Sequence, residues 1–149
     1  MKTRYLVLVL AGVILAGCAS TQIMVESKSV PKGASRVVLI RNGSIIGAAQ
    51  GFKVYDPGKV YDGETLCAEP KTERFADGWL VGKISNGGSL TWHRVPGPMW
   101  LTLKISGGPN RQLEELTTEA GKEYTIEFSI GTYKGSTGAE KPKVTVRNL

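Results

Sequence analysis

From residue 35 onward the chain is a succession of short stretches in which every second residue is apolar, each closed by a turn rich in glycine, proline or asparagine. Period-two alternation marks a strand with one buried face. The pattern predicts a first strand over Ser35–Arg41, stopped by Asn42-Gly43, and a second over Gly51–Tyr55, stopped by Asp56-Pro57-Gly58-Lys59. In that tetrad proline presets φ and glycine tolerates a positive φ. Strands over Trp79–Ser85 and Ser89–Arg94 follow, joined at Asn86-Gly87-Gly88, and Val95-Pro96-Gly97-Pro98 leads into Met99–Ser106. Asn110–Thr118 spaces Leu113 and Leu116 as a helix would, but its two threonines favour a strand. Tyr124–Ile130 has the cleanest alternation, with Tyr124, Ile126, Phe128 and Ile130 inward, and Lys143–Arg147 closes the series.

A four-residue loop at 95–98 predicts a hairpin in which Arg94 faces Met99, His93 faces Trp100, Trp92 faces Leu101 and Leu90 faces Leu103. Leu90, Trp92, Met99, Leu101, Leu103 and Ile105 then share the buried face. Thr91, His93, Trp100, Thr102 and Lys104 fall on the other. Trp100 beside the single histidine, with Arg94 next to it, is the binding patch this register predicts, since aromatic and arginine side chains concentrate binding energy.

Two stretches break the alternation. Val60–Asp77 is polar and mixed in charge and contains Cys67 and Pro70; Gly131–Pro142 is a glycine-rich loop carrying lysines. Both are expected as surface loops, the usual place for function in a small domain.

About seven or eight short strands with turns every 8–12 residues indicate an all-β fold, an antiparallel β-sandwich. The runs Val81-Gly-Lys-Ile-Ser-Asn-Gly-Gly, Val95-Pro-Gly-Pro and Ala120-Gly-Lys-Glu-Tyr resemble the strand and turn motifs of a family of small bacterial lipoproteins built on a domain of unknown function. That resemblance, over about Ser35–Val146, implies a sandwich similar to transthyretin-like and PEGA modules. Val95-Pro96 departs from the family's double proline, and Tyr61–Asp77 looks like an insertion. A family without an assigned activity implies a fold and no chemistry.

The beginning of the chain obeys another pattern. Lys2 and Arg4 precede an unbroken apolar run, Leu6–Leu15, then Ala16, Gly17 and Cys18. A basic segment, a short apolar core and small residues make a secretory signal peptide. The run is about half the ~20 residues a membrane-spanning helix needs. Leu15-Ala16-Gly17-Cys18 resembles the lipobox of bacterial lipoproteins, which implies a thioether-linked diacylglyceryl group on Cys18, cleavage before it, and acylation (palmitate among the acyl chains) of the new amino terminus. Two or more acyl chains suffice for stable anchoring. Ala19 is not the aspartate of an inner-membrane retention signal, so the resemblance implies the outer membrane, with the protein facing the periplasm. The organisation expected is a removed signal peptide at 1–17, an acylated cysteine and flexible tether at 18–34, and a sandwich domain at 35–149.

Charge and chemistry narrow the function. Lys plus Arg number 19 against 13 acids, and two of the bases lie in the leader. The remaining surplus favours anionic neighbours at the membrane surface. The bases are scattered rather than striped, and no nucleic-acid partner is expected. With Cys18 acylated, Cys67 has no disulfide partner in the chain and is either a small buried hydrophobe or one half of an intermolecular bridge. One free cysteine and one histidine are too few for a metal site, and no cofactor is expected. His93 has no nucleophile motif nearby, the 131–138 loop lacks the order of a phosphate-binding loop, and Glu114-Glu115 project to opposite faces of a strand. No enzyme is expected. Two readings stay open: a non-enzymatic binding or structural module for an envelope protein or cell-wall partner, and a small-molecule or glycan sensor whose mouth is formed by the 61–77 and 131–142 loops.

Overall fold

The computed structural model describes residues 22–23, 29–45, 49–62, 65–66, 73–133, 136–139 and 141–149. The signal peptide, Cys18 and Cys67 lie outside the described residues.

Among the described residues there is no helix, and the fold is all-β. The principal strands are β1 (Ser35–Arg41), β2 (Phe52–Asp56), β3 (Gly78–Ile84), β4 (Ser89–Arg94), β5 (Gly97–Met99), β6 (Thr102–Lys104), β7 (Leu116–Thr118), β8 (Lys122–Phe128), β9 (Ile130–Tyr133), β10 (Ser136–Ala139) and β11 (Lys143–Asn148). One sheet runs β3-β2-β6, extended by the two-residue strands Gln22–Ile23 and Arg74–Phe75 on β3 and Arg111–Gln112 on β6. The other runs β11-β8-β1-β4. The first sheet contributes Phe52, Val54, Val81, Ile84 and Leu103 to the shared core, and the second contributes Val37, Leu39, Leu90, Trp92, Ile126 and Phe128. Two sheets burying one face each against the other make a sandwich.

Alternation places these residues. β1 is buried at every second position, with Val37 and Leu39 inward. Tyr124, Ile126, Phe128 and Ile130 are all buried, and so are Leu90, Trp92, Met99, Leu101 and Leu103, with Ile105 partly so. Asn110–Thr118 forms two short strand pieces and no helix. Gly87 and Gly121 hold φ values of 70° at the turns where the sequence places them, the left-handed region glycine enters without steric cost.

The pairing differs from the expected hairpins. β4 pairs with β1, from Ser35↔Arg94 to Ile40↔Ser89, and β6 pairs with β2, from Thr102↔Tyr55 to Lys104↔Lys53. Arg94 therefore does not face Met99, nor His93 Trp100. The crossing from β4 to β6 runs through β5, which pairs with β7 from Gly97↔Thr118 to Met99↔Leu116, so the strand expected over Met99–Ser106 is split between β5 and β6. Asn86–Gly88 crosses likewise between β3 and β4. Short glycine- and proline-containing connections are compatible with either geometry, and the distant partners decide. The sandwich is also not wholly antiparallel, since β8 and β1 run parallel, from Glu123↔Arg36 to Phe128↔Arg41.

Both expected loops contain strand pairs: Tyr61–Asp62 pairs with Thr65–Leu66, and β9 pairs with β10. Within the expected tether, Pro31 and Ala34 are buried, and Gly121 N–H donates to Ala34 C=O at 2.9 Å. Packing thus begins before Ser35.

Candidate functional site

Alternation puts Asp56 on the same face as Phe52 and Val54, and Arg94 on the same face as Leu90 and Trp92. Both charges therefore enter the sandwich, one from each sheet, at 0 % and 1 % exposure. Arg94 Nε lies 3.0 Å from Asp56 Oδ2, which also accepts a hydrogen bond from Trp92 Nε1 at 2.8 Å. Asp56 Oδ1 accepts from Gly58 N–H at 2.7 Å, closing the turn that the Asp-Pro-Gly sequence sets up. The other guanidinium nitrogens reach the crossing segment. Arg94 Nη1 donates to Gly97 C=O at 3.0 Å and Thr118 Oγ1 at 2.6 Å, and Nη2 donates to Pro98 C=O at 2.9 Å. Gly58 is required by this enclosure, because a Cβ there would stand 2.1 Å from Arg94 Nη2. Arg94 is a tie between the sheets, its terminal nitrogens hydrogen-bonded and its Nε facing Asp56 as an ion pair without a hydrogen bond.

His93 projects from the opposite, outer face of the β11-β8-β1-β4 sheet. Register aligns His93, Arg36, Glu123 and Arg147 in one row across all four strands. Arg36 Nε donates to His93 Nε2 at 3.2 Å, Arg36 Nη1 pairs with Glu123 Oε2 at 3.1 Å, and Arg147 Nη2 pairs with Glu123 Oε1 at 2.7 Å. The imidazole thus serves as an acceptor, and burial followed by the Arg36 charge pushes its pKa below the ordinary 6.5. Burial alone would raise the Glu123 carboxyl; the hydrogen bonds and charges of Arg147 and Arg36 together outweigh it and hold it below 4.5. Two further rows follow, Thr91-Val38-Thr125-Thr145 and Ser89-Ile40-Glu127-Lys143. The face they make is open and shallow.

The row ends at β11. This strand pairs only with β8 among the described residues, so its far edge presents unpaired backbone groups. All six of its residues are exposed. Val144 and Val146, opposite Ile126 and Tyr124, belong by register to the inner face, yet they are 42 % and 49 % exposed. Lys143, Thr145 and Arg147 occupy the outer face. The edge combines free backbone groups, an apolar side and a basic side.

The three residues expected to form one patch are thus placed apart. Arg94 is enclosed, His93 is buried within the polar row, and Trp100 is half-buried beside a different depression bordered by Gln112, Leu113, Glu114 and Glu115. The residues the sequence left unmarked are Arg36, Glu123, Val144, Val146 and Arg147. The alternation in Lys143–Arg147 gives their faces; nothing local says that this strand is an edge. No group of His, Cys, Asp and Glu suited to a metal ion occurs among the described residues.

No known family profile matches the chain, and no relative is found among curated protein sequences. Solved structures with a similar fold include a candidate cell adhesion protein of Bacteroides uniformis, at a TM-score of 0.46 and 14 % identity, and another of Bacteroides ovatus, at 0.44 and 10 %. The matches cover 78 % and 75 % of this chain but only 50 % and 44 % of those proteins, so the chain spans about half their length. Neither likeness carries a functional implication for this chain.

Proposed function

We propose that this protein is a non-enzymatic binding module of the bacterial envelope, anchored through an acylated Cys18, that takes up an extended polypeptide along the free edge of β11. The observation that carries this reading is the exposed edge strand itself, whose inner-face residues Val144 and Val146 lie 42 % and 49 % open. An added strand satisfies the edge backbone and covers the two valines, the arrangement of strand-addition recognition. Charge selects the partner. Pairing β11 antiparallel with its own copy about Thr145 sets Lys143 opposite Arg147, and like charges directly opposite disfavour pairing. A strand with apolar residues on one side and acids on the other is complementary to both faces. The basic segment, short apolar run and Cys18 of the leader support the envelope address.

The test uses a capped, fluorescently labelled heptapeptide alternating glutamate and valine, followed by anisotropy. The expected result is binding that weakens with salt and falls at least tenfold in Val146→Lys, where an inward-pointing charge blocks sheet extension. Equal binding by wild type and Val146→Lys, or none by wild type, removes the edge-strand reading.

A further inference from the structure

The outer face of the other sheet carries a second feature, independent of the β11 edge. Lys83 of β3, Lys53 of β2 and Lys104 of β6 are directly opposite one another in register, one row of three lysines across three neighbouring strands. Adjacent strands lie about 4.8 Å apart. Three like charges at that spacing oppose sheet formation, and the fold answers them only in part. Lys53 Nζ pairs with Glu73, whose other carboxylate oxygen accepts a hydrogen bond from the Tyr55 hydroxyl at 2.8 Å. The Lys104 ammonium rests 3.9 Å above the Phe75 ring and acts on the Glu73 carboxylate only through its charge, with no ion pair of its own among the described residues. Lys83 has no acidic partner among the described residues. Among the described residues one acid stands against three cations, leaving two positive charges in excess.

These lysines line a hollow of about 490 Å³, bounded otherwise by Ala49–Gly51 and Ile105–Gly107. Gly51 leaves room for the Lys83 stem, since a Cβ there would fall 2.7 Å from Lys83 Cε. The volume is within the range of small-ligand sites, about 300–1,000 Å³, and exceeds what a bare phosphate fills. We infer that this hollow binds a phosphate-class dianion carried on a group the size of glycerol or a sugar. Two negative charges match the excess and relieve the repulsion along the row. The phosphate belongs either to a soluble monoester or to a lipid headgroup, and both offer the same chemistry to the lysines.

Thermal melting of the full chain at fixed ionic strength tests this, with glycerol 3-phosphate, dihexanoyl phosphatidic acid below its micelle concentration, and sodium chloride as the reference. At least one phosphate compound is expected to raise the melting temperature above the chloride reference. Lys83→Gln and Lys104→Gln are expected to weaken that ligand at least tenfold while melting, without ligand, no lower than wild type, because each removes a like charge. A purely structural role for these lysines would lower the ligand-free melting temperature instead. Tenfold tighter binding of phosphatidic acid identifies a lipid headgroup; comparable or tighter binding of glycerol 3-phosphate identifies a soluble ester. The inference is overturned if neither compound exceeds chloride, or if both variants keep the shift.

Discussion

Replacing Asp56 by alanine probes the tie between the two sheets. The substitution removes the countercharge 3.0 Å from Arg94 Nε, the acceptor for Trp92 Nε1 at 2.8 Å and the acceptor for Gly58 N–H at 2.7 Å. Arg94 is 1 % exposed and has no route to water without unpacking the crossing segment. Breaking a buried ion pair by deleting one partner costs about 3–5 kcal/mol, because the remaining charge stays desolvated. An orphaned buried donor adds about 1–3 kcal/mol, partly shared with the first penalty. The expected loss is therefore about 4–6 kcal/mol, comparable to the whole stability of a marginal domain at about 5–15 kcal/mol. Urea denaturation followed by tryptophan fluorescence measures it, with Arg94→Met and the double variant completing a cycle. The double variant is expected to recover at least about 2 kcal/mol relative to additivity, since removing both charges leaves none buried and unpaired. A loss under about 1 kcal/mol for Asp56→Ala, or strict additivity in the cycle, would refute the buried tie.

Trp92→Ala is expected to cost about 3–5 kcal/mol and Trp100→Ala far less, because only the first is enclosed in the core; comparable denaturation midpoints would contradict the placement of both rings. The His93 pKa is lowered from 6.5 in the folded protein, so the unfolded chain takes up the proton first, and stability should be full above about pH 6.5 and decline as pH falls below it. Melting between pH 7.5 and 5.5, above the ordinary glutamate pKa of the unfolded chain, measures that slope, and His93→Gln should flatten it. Cys18→Ala should abolish radiolabelled palmitate incorporation and leave uncleaved precursor in cells; unchanged labelling would rule out this anchor.

Much of the fold was legible in residues 35–149. The strand Ser35–Arg41, the inward set Tyr124, Ile126, Phe128 and Ile130, and the buried Leu90 and Trp92 all follow from alternation. The same parity puts Asp56 with Val54, and Arg94 with Trp92, so both charges were legible as inward-facing. Arg94 was nevertheless read as part of an exposed patch with His93 and Trp100, because the register rested on a hairpin that does not form. That Asp56 and Arg94 meet, 38 positions apart and from opposite sheets, has no local signature. Nor does the solvent exposure of Val144 and Val146, which depends on nothing packing beyond β11 among the described residues.

Side-chain parity and turn formation are settled within a few residues by backbone geometry and by proline and glycine. The sequence by itself determined the all-β class and the strands and faces of β1, β4 and β8, but not the strand pairs within 61–66 and 130–139 or the break in Met99–Ser106. Strand pairing was decided only by the tertiary structure, because it depends on which distant hydrophobic faces bury one another best. With pairing came the parallel β8-β1 contact, the enclosed Arg94, the four-residue polar row ending at Arg147, the open edge of β11, and the alignment of Lys83, Lys53 and Lys104, three residues that sequence distance keeps apart and sheet register brings side by side.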